Sequence, residues 1–351
     1  MHIIIDKPVI ESILNQIIPF TEKKDNTQIT SHILINANDK LTLKATDKEI
    51  GLKIKTNANI ITPGTITING KRFLDIIKTL QNKEIEIKAQ NSQIIITQES
   101  SIYKLTSFNV DEFPEFPTTD YLEKLNIEIE EFNKILKRIH PVIDNNNPKY
   151  ELNGALFDLK EKSNFVSTDT RRLAIYYSNA TTKESKIIVP KRSIAEIKRV
   201  IKDDMEIYYD EVYLILKNQE SLFFTKLING KFPDYERIIP KSLKYEIQLP
   251  KKEFLSHLKQ VSIISNEVKI TIKPNEIELE SISDETLQAK TKFNITTPIE
   301  DSFTFAVNSK YINDFLNVID NENFTLGLNE PNIPFILKDE NFITIVMPLN
   351  I

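Results

Sequence analysis

Apolar residues recur along this chain at helical spacing in three places that match one another. Ile10, Ile13, Leu14 and Ile17 form one stripe, Phe132, Ile135, Leu136 and Ile139 the next, and Phe254, Leu258 and Val261 the third, each opening 122 residues after the one before. A second stripe behaves likewise: Phe73, Ile76 and Leu80 return as Ile194, Ile197 and Ile201, then as Ile312, Phe315 and Ile319. Positions i, i+3, i+4 and i+7 share one face of a helix, so the pattern predicts six amphipathic helices. Two independent stripes keeping step over the whole chain predict three homologous units of about 120 residues, too long for solenoid repeats and long enough to bury a core each.

Between the stripes the pattern changes to period two. Residues 38–48, 85–98, 150–157 and 212–227 alternate apolar and polar side chains and are broken by Asn-Asp, Asn-Gln or Asn-Gly pairs. Such runs predict antiparallel strands with one buried face. Each unit therefore reads as an α+β domain, two helices packed on antiparallel sheets. Proline-containing junctions at 113–125 and 232–245, both with Phe-Pro followed by an acidic residue, divide the chain into 1–119, 120–241 and 242–351.

A hydroxyl followed by aspartate also repeats, as Thr46-Asp47, Thr168-Asp169 and Ser283-Asp284. Local turn hydrogen bonds account for this pairing, and a hydrolase built on Asp47, Asp169 and Asp284 is the competing reading. Other enzyme signatures fail. Six glycines form no GxGxxG, the nearest phosphate-loop candidate has Arg72 after Gly70-Lys71 where Ser or Thr is required, and no GxSxG is present. His2, His32, His140 and His257 lack metal-ligand spacing, and His257 takes the helix-packing position of Ile13 and Ile135. The chain reads as a non-enzyme that needs no cofactor and no metal.

Zero cysteines exclude disulfides and thiolate chemistry. No run of about 18 apolar residues and no signal-like leader is seen, so a cytoplasmic protein is expected. A net charge of −5 argues against a globally basic nucleic-acid binder. The local distribution argues the other way. Lys71, Arg72 and Lys78 lie on one predicted helix, Lys134, Lys137 and Arg138 on another, Lys191, Arg192, Lys198, Arg199 and Lys202 on or beside a third, and Lys252, Lys259 and Lys310 on their counterparts. Solvated helix faces explain any one group; recurrence in all three units points to a cationic surface that fits a phosphate backbone.

Five separated blocks carry a family resemblance: ELNGALFDL (151–159), VSTDTRRLAIY (166–176), IIVPKRSIAEIKRVI (187–201), TKLINGKFPDYERIIP (225–240) and ITIVMPLNI (343–351). In these the chain resembles the bacterial DNA sliding clamp, the beta subunit of the replicative DNA polymerase III, over essentially its whole length. The resemblance implies the DNA-clamp fold and a head-to-tail homodimer, a ring of six domains with twelve helices around a central hole. It implies a processivity factor that encircles duplex DNA without sequence specificity, slides, and tethers the polymerase catalytic subunit, the clamp loader, other polymerases and repair proteins. A diverged three-domain scaffold that binds peptides without encircling DNA is the alternative.

The resemblance also assigns sites. A peptide cleft between the second and third domains would use Leu152, Thr168, Thr170, Arg171, Arg172, Leu173, Pro233, Arg237, Ile238, Asn308, Tyr311, Pro334, Ile345, Met347, Pro348, Leu349 and Ile351. Lys24, Lys149 and Tyr150 would join the helix cations in facing DNA, and Tyr103 and Leu105 would meet Ile263 and Ile264 across the dimer interface. Two departures bear on peptide preference: Thr170-Arg171 stands where the family has Gly-His, and Asn350 where it has a basic residue. Two apolar peptide anchors at ~1.5 to 3 kcal/mol each, less ordering costs, forecast roughly micromolar complexes.

Overall fold

The computed structural model describes all residues except Asn26, Asn91, Asp284 to Thr286 and Ile351. Among the described residues are six α-helices: α1 (Lys7–Ile17), α2 (Gly70–Thr79), α3 (Ile129–Ile139), α4 (Lys191–Val200), α5 (Lys251–Ser262) and α6 (Ser309–Val318). Each coincides with a predicted stripe. Their starts have local causes: Pro8 presets the first turn of α1, while the side chains of Asn69 and Asn308 cap α2 and α6 by accepting from the backbone N–H of Arg72 and Lys310.

The chain forms two compact units, residues 1–129 with 195–227 and residues 130–194 with 228–351. The first holds a five-stranded and an eight-stranded sheet, the second an eight-stranded and a four-stranded one. Each eight-stranded sheet is a fusion of two four-stranded halves distant in sequence. In the first unit the fusion is made by Ile50–Thr56 pairing antiparallel with Ser221–Lys226, and in the second by Arg172–Tyr177 pairing with Phe342–Val346. These two contacts are called the first and second seams below.

Repetition extends to individual hydrogen bonds. The turn ahead of each seam strand is closed by Thr46 Oγ1 donating to Ile50 O and by Thr168 Oγ1 donating to Arg172 O, both at 2.7 Å. Asp47 and Asp169 each accept from two backbone N–H groups two and three residues on, at 3.0 to 3.1 Å. One oxygen of each carboxylate is thus engaged by the turn, as the local reading expects; Asp284 lies outside the described residues. One predicted strand is shortened. Tyr150–Asn153 is a 3-10 turn and extended backbone begins at Gly154, because Asn153 exchanges hydrogen bonds with the backbone of Asn147 and folds that segment into a loop.

Candidate functional site

The outer face of the second seam is apolar from strand to strand. One cross-strand row runs through Ile188, Leu156, Val166, Ile175 and Ile343, each directly opposite the next. Antiparallel register puts all five on one face, and each is buried, Ile175 completely. The neighbouring row holds Leu173 opposite Ile345 and Ile345 opposite Ile336. Leu152, Phe232 and Tyr235 complete the cluster, with Ile228, Ile239 and Leu243 partly buried against it.

This places the predicted cleft residues in distinct tiers. Leu152, Leu173 and Ile345 are floor, at most 4% exposed. Ile238 and Met347 stand 48% and 42% exposed, an unusual expense for large apolar side chains, and Ile333 beside Pro334 is 40% exposed. Met347 is held by its N–H donating to Arg171 O, and Leu349 by its N–H donating to Ala306 O. Pro233, Arg237, Thr170 and Arg171 are exposed, and Arg237 pairs with Asp234 at 2.6 Å. Pro348 is half-buried. Ile351 lies outside the described residues.

Arg172 is not an exposed recognition group. It is buried, with Nε donating to Asp169 at 2.9 Å, Nη2 to Pro141 O at 2.9 Å, and an ion pair to Asp314 at 2.8 Å. Its guanidinium lies 4.6 Å from the ring centre of half-buried Tyr311, so it ties α6 to the Thr168 turn. Asn308 caps α6 through its Oδ1 and Thr168 closes the turn through its hydroxyl, so both position this region.

Sequence reasoning missed the pin beneath the segment carrying Pro233 and Ile238. Tyr235 donates to buried Asp158 at 2.6 Å and accepts from Asn164 Nδ2 at 2.9 Å. Burial pushes the Tyr235 phenol above its usual value, and the Asp158 carboxylate adds to the rise. The repeated Phe-Pro-acidic linker marked the segment; nothing local marked Asp158, 77 residues away.

The candidate DNA-facing cations divide by exposure. Lys24, Lys71, Arg72, Lys78, Lys137, Lys149, Tyr150, Lys198, Arg199, Lys202, Lys252 and Lys259 are exposed, and Lys134 is half-buried. Several have acidic neighbours: Arg199 with Glu196 at 2.7 Å, Lys252 with Glu322 at 3.9 Å, and Lys134 and Lys137 with Asp320 at 3.5 and 4.0 Å. Tyr150 donates to Asn229 O at 2.5 Å and stays 57% exposed.

Arg138 is a correction. It reads as part of the basic face of α3, yet it is 1% exposed, 2.7 Å from buried Asp339 and 3.5 Å from Asp320, with its guanidinium near the rings of Tyr176 and Phe342 at 5.6 and 5.4 Å. A charge so enclosed is structural and cannot reach a phosphate.

The predicted interface residues lie on two open features. Ser101–Thr106 is the edge strand of the five-stranded sheet, with half-buried Tyr103 and Leu105 on one face and Ile102, 62% exposed, on the other. Ile263, at the end of α5, is 82% exposed, and Ile264 is half-buried. An unpaired edge beside apolar side chains favours strand addition.

Family models for the DNA polymerase III beta subunit match consecutive stretches of the chain: the N-terminal domain over residues 1–117, the central domain over 126–234 and the C-terminal domain over 236–350. The beta sliding clamp of Helicobacter pylori strain J99 is 35% identical over 353 residues, covering 97% of this chain and 94% of that one. The crystal structure of the Helicobacter pylori beta clamp bound to a DNA ligase peptide superposes with a TM-score of 0.95 at 34% identity, covering both chains fully. The DNA polymerase III subunit beta from Pseudomonas aeruginosa, 22% identical and fully covered in both chains, shares the fold at a TM-score of 0.92.

Proposed function

The chain belongs to the DNA polymerase III beta-subunit family, the bacterial sliding clamps, and from that premise we propose that two copies close into a ring around duplex DNA and dock partner peptides on the second seam. The observation that carries the docking half is the buried Leu173, Ile175, Ile343 and Ile345 floor with Ile238 and Met347 left exposed. Two apolar anchors of an extended peptide would cover those side chains, and the thioether of Met347 adapts to different partners. The occupants are peptides of the polymerase catalytic subunit, the clamp loader and repair proteins. This reading gains support from the relative crystallised with a DNA ligase peptide.

The ring half rests on the three-domain division at 1–119, 120–241 and 242–351, on the edge strand Ser101–Thr106 and on Ile263. The exposed lysines and arginines of α2 to α5, Arg138 excepted, would face the duplex. Non-specific phosphate contacts of about 10⁻⁴ to 10⁻⁶ M permit sliding, and closure supplies retention. The protein is a non-catalytic subunit, as its family is. No helix among the described residues is long and apolar enough to cross a membrane, and the reading places the ring in the cytoplasm with the chromosome.

The test has two arms. Light scattering should give a dimer that Ile263→Asp converts to monomer, and loaded protein should stay on circular DNA yet leave linearised DNA. Met347→Ala should weaken a clamp-binding peptide about tenfold, about 1.4 kcal/mol, in fluorescence anisotropy. A wild-type monomer, or equal retention on cut and circular DNA, overturns the ring.

A further inference from the structure

The two seams also differ on their helix-facing side, and the difference is a cavity. At the second seam Arg138 of α3 is buried, its guanidinium near the Tyr176 and Phe342 rings and paired with Asp339 and Asp320. The repeat gives each of these a counterpart at the first seam. Gln16 on α1 stands for Arg138, 122 residues on; Ile54 for Tyr176; and Ser221, directly opposite Ile54, for Phe342, directly opposite Tyr176. Lys202 stands for Asp320, and Asn218, which begins the turn to Ser221, for Asp339.

Every member of the buried ion pair is thus replaced by a neutral or oppositely charged residue, and both rings by smaller side chains. The space they fill at the second seam is open at the first. It is a cavity of about 440 Å³, with Ile13, Leu52, Ile54 and Val200 on its walls and Ser12, Gln16 and Ser221 among them. Val9 at its margin is 39% exposed. Lys55 and Lys202 also line it, and among the described residues neither has an ion pair, while Glu220 is its one acidic lining residue. The volume falls in the range of small-molecule sites.

We propose that the first seam holds a binding site for a small amphipathic carboxylate, an aromatic or branched acid whose apolar body fills the space taken by Arg138 and Phe342 at the second seam and whose carboxylate meets Lys202. The sign of the ligand follows from the replacements. At the second seam a buried cation is met by Asp320 and Asp339; at the first the same positions offer Lys202 and a neutral amide, so the complementary guest is an anion. The apolar wall requires a body as well as a charge, which inorganic phosphate lacks. The site is separate from the peptide floor and independent of ring closure.

Biphenyl-4-carboxylate is a suitable probe, titrated into the full-length protein by calorimetry and followed by ligand-observed NMR. Saturable binding is expected. Ser221→Phe restores the ring of the second seam and should weaken binding at least tenfold. Lys202→Asp should weaken it about tenfold while leaving the fold intact, and the neutral biphenyl-4-carboxamide should bind about tenfold more weakly than the acid. Met347→Ala, above the peptide floor, should leave the affinity unchanged. Absence of saturable binding at millimolar probe overturns the proposal. So does affinity that survives both Ser221→Phe and Lys202→Asp, or that falls with Met347→Ala, since the probe would then sit on the peptide floor.

Discussion

The outer faces of the two seams share one backbone plan and carry opposite chemistry. At the second, the row Leu156, Val166, Ile175 and Ile343 is apolar throughout. At the first, the equivalent row is Leu34, Lys44, Lys53 and Leu222, followed by Lys217. Burial and the charges of Lys44, Lys55 and Lys217 pull the Lys53 ammonium below its usual value. The chain's own aromatics close this face: Phe224 lies over Gly51, where any Cβ would strike its ring, and Phe116 meets Phe224 edge-on at 5.0 Å. A repeated fold therefore does not imply a repeated site. Among the described residues the second seam keeps an apolar floor with exposed large side chains above it, and the first has an apolar-walled cavity beneath.

The largest effect expected from breaking this comparison comes from Arg138. Arg138→Ala leaves Asp339 buried without its cation and should cost about 3 to 5 kcal/mol in urea unfolding. Gln16→Ala, the matching change at the first seam, should cost under about 1 kcal/mol. Equal losses would show that the ion pair is not what separates the seams.

Acid should separate the two units next. His32, buried against Phe108 on the first eight-stranded sheet, has its ring pKa lowered by burial from 6.5 to about 4. Between those values the unfolded chain binds a proton that the folded one refuses, so stability falls as pH drops from 6.5 to about 4 and this contribution then levels off, at about 3 kcal/mol in all. Hydrogen exchange across that range should show the first unit loosening, and His32→Phe should flatten the response there.

Converting one row towards the other gives a smaller effect. Lys53→Ile replaces a desolvated charge by the residue type found at Ile175 and should stabilise by about 1 kcal/mol in denaturant titration. A loss of similar size would mean that the lysine stem packs better than the branched side chain.

The smallest concerns the turns. Thr170 sits at φ 71 and Lys48 at φ 76, left-handed conformations that suit glycine and are worst for a β-branched residue. Thr170→Gly should gain roughly 0.5 kcal/mol, relief of strain less the added freedom of the unfolded chain, and Lys48→Gly less than that. Thermal melts of the pair would reveal the order.

What the sequence made legible follows from what is local. All six helices were visible because a buried stripe must recur within three or four residues. The Thr46 and Thr168 turns were visible because their hydrogen bonds close within four. Register was not. Nothing near Arg172 says that its strand will pair with one 170 residues later, and only that pairing decides that Ile175 and Ile343 form one floor. Arg138 was misread for the same reason: its partners Asp339, Tyr176 and Phe342 lie in distant segments, so on its own helix it looked like one more surface cation. The cleft residues were named only through the family blocks, and those blocks do not say which of the side chains are buried and which stand proud.

The second seam also makes one sheet wait on two distant stretches of chain. Its two strands, Arg172–Tyr177 and Phe342–Val346, stand far apart in sequence, and Met347 and Leu349 are tied down just after the second. During synthesis the edge at Arg172–Tyr177 therefore stays open until Phe342–Val346 has emerged to pair with it. A fragment cut between the two strands keeps that edge bare, a species suited to aggregation and to prompt proteolysis rather than to partial function.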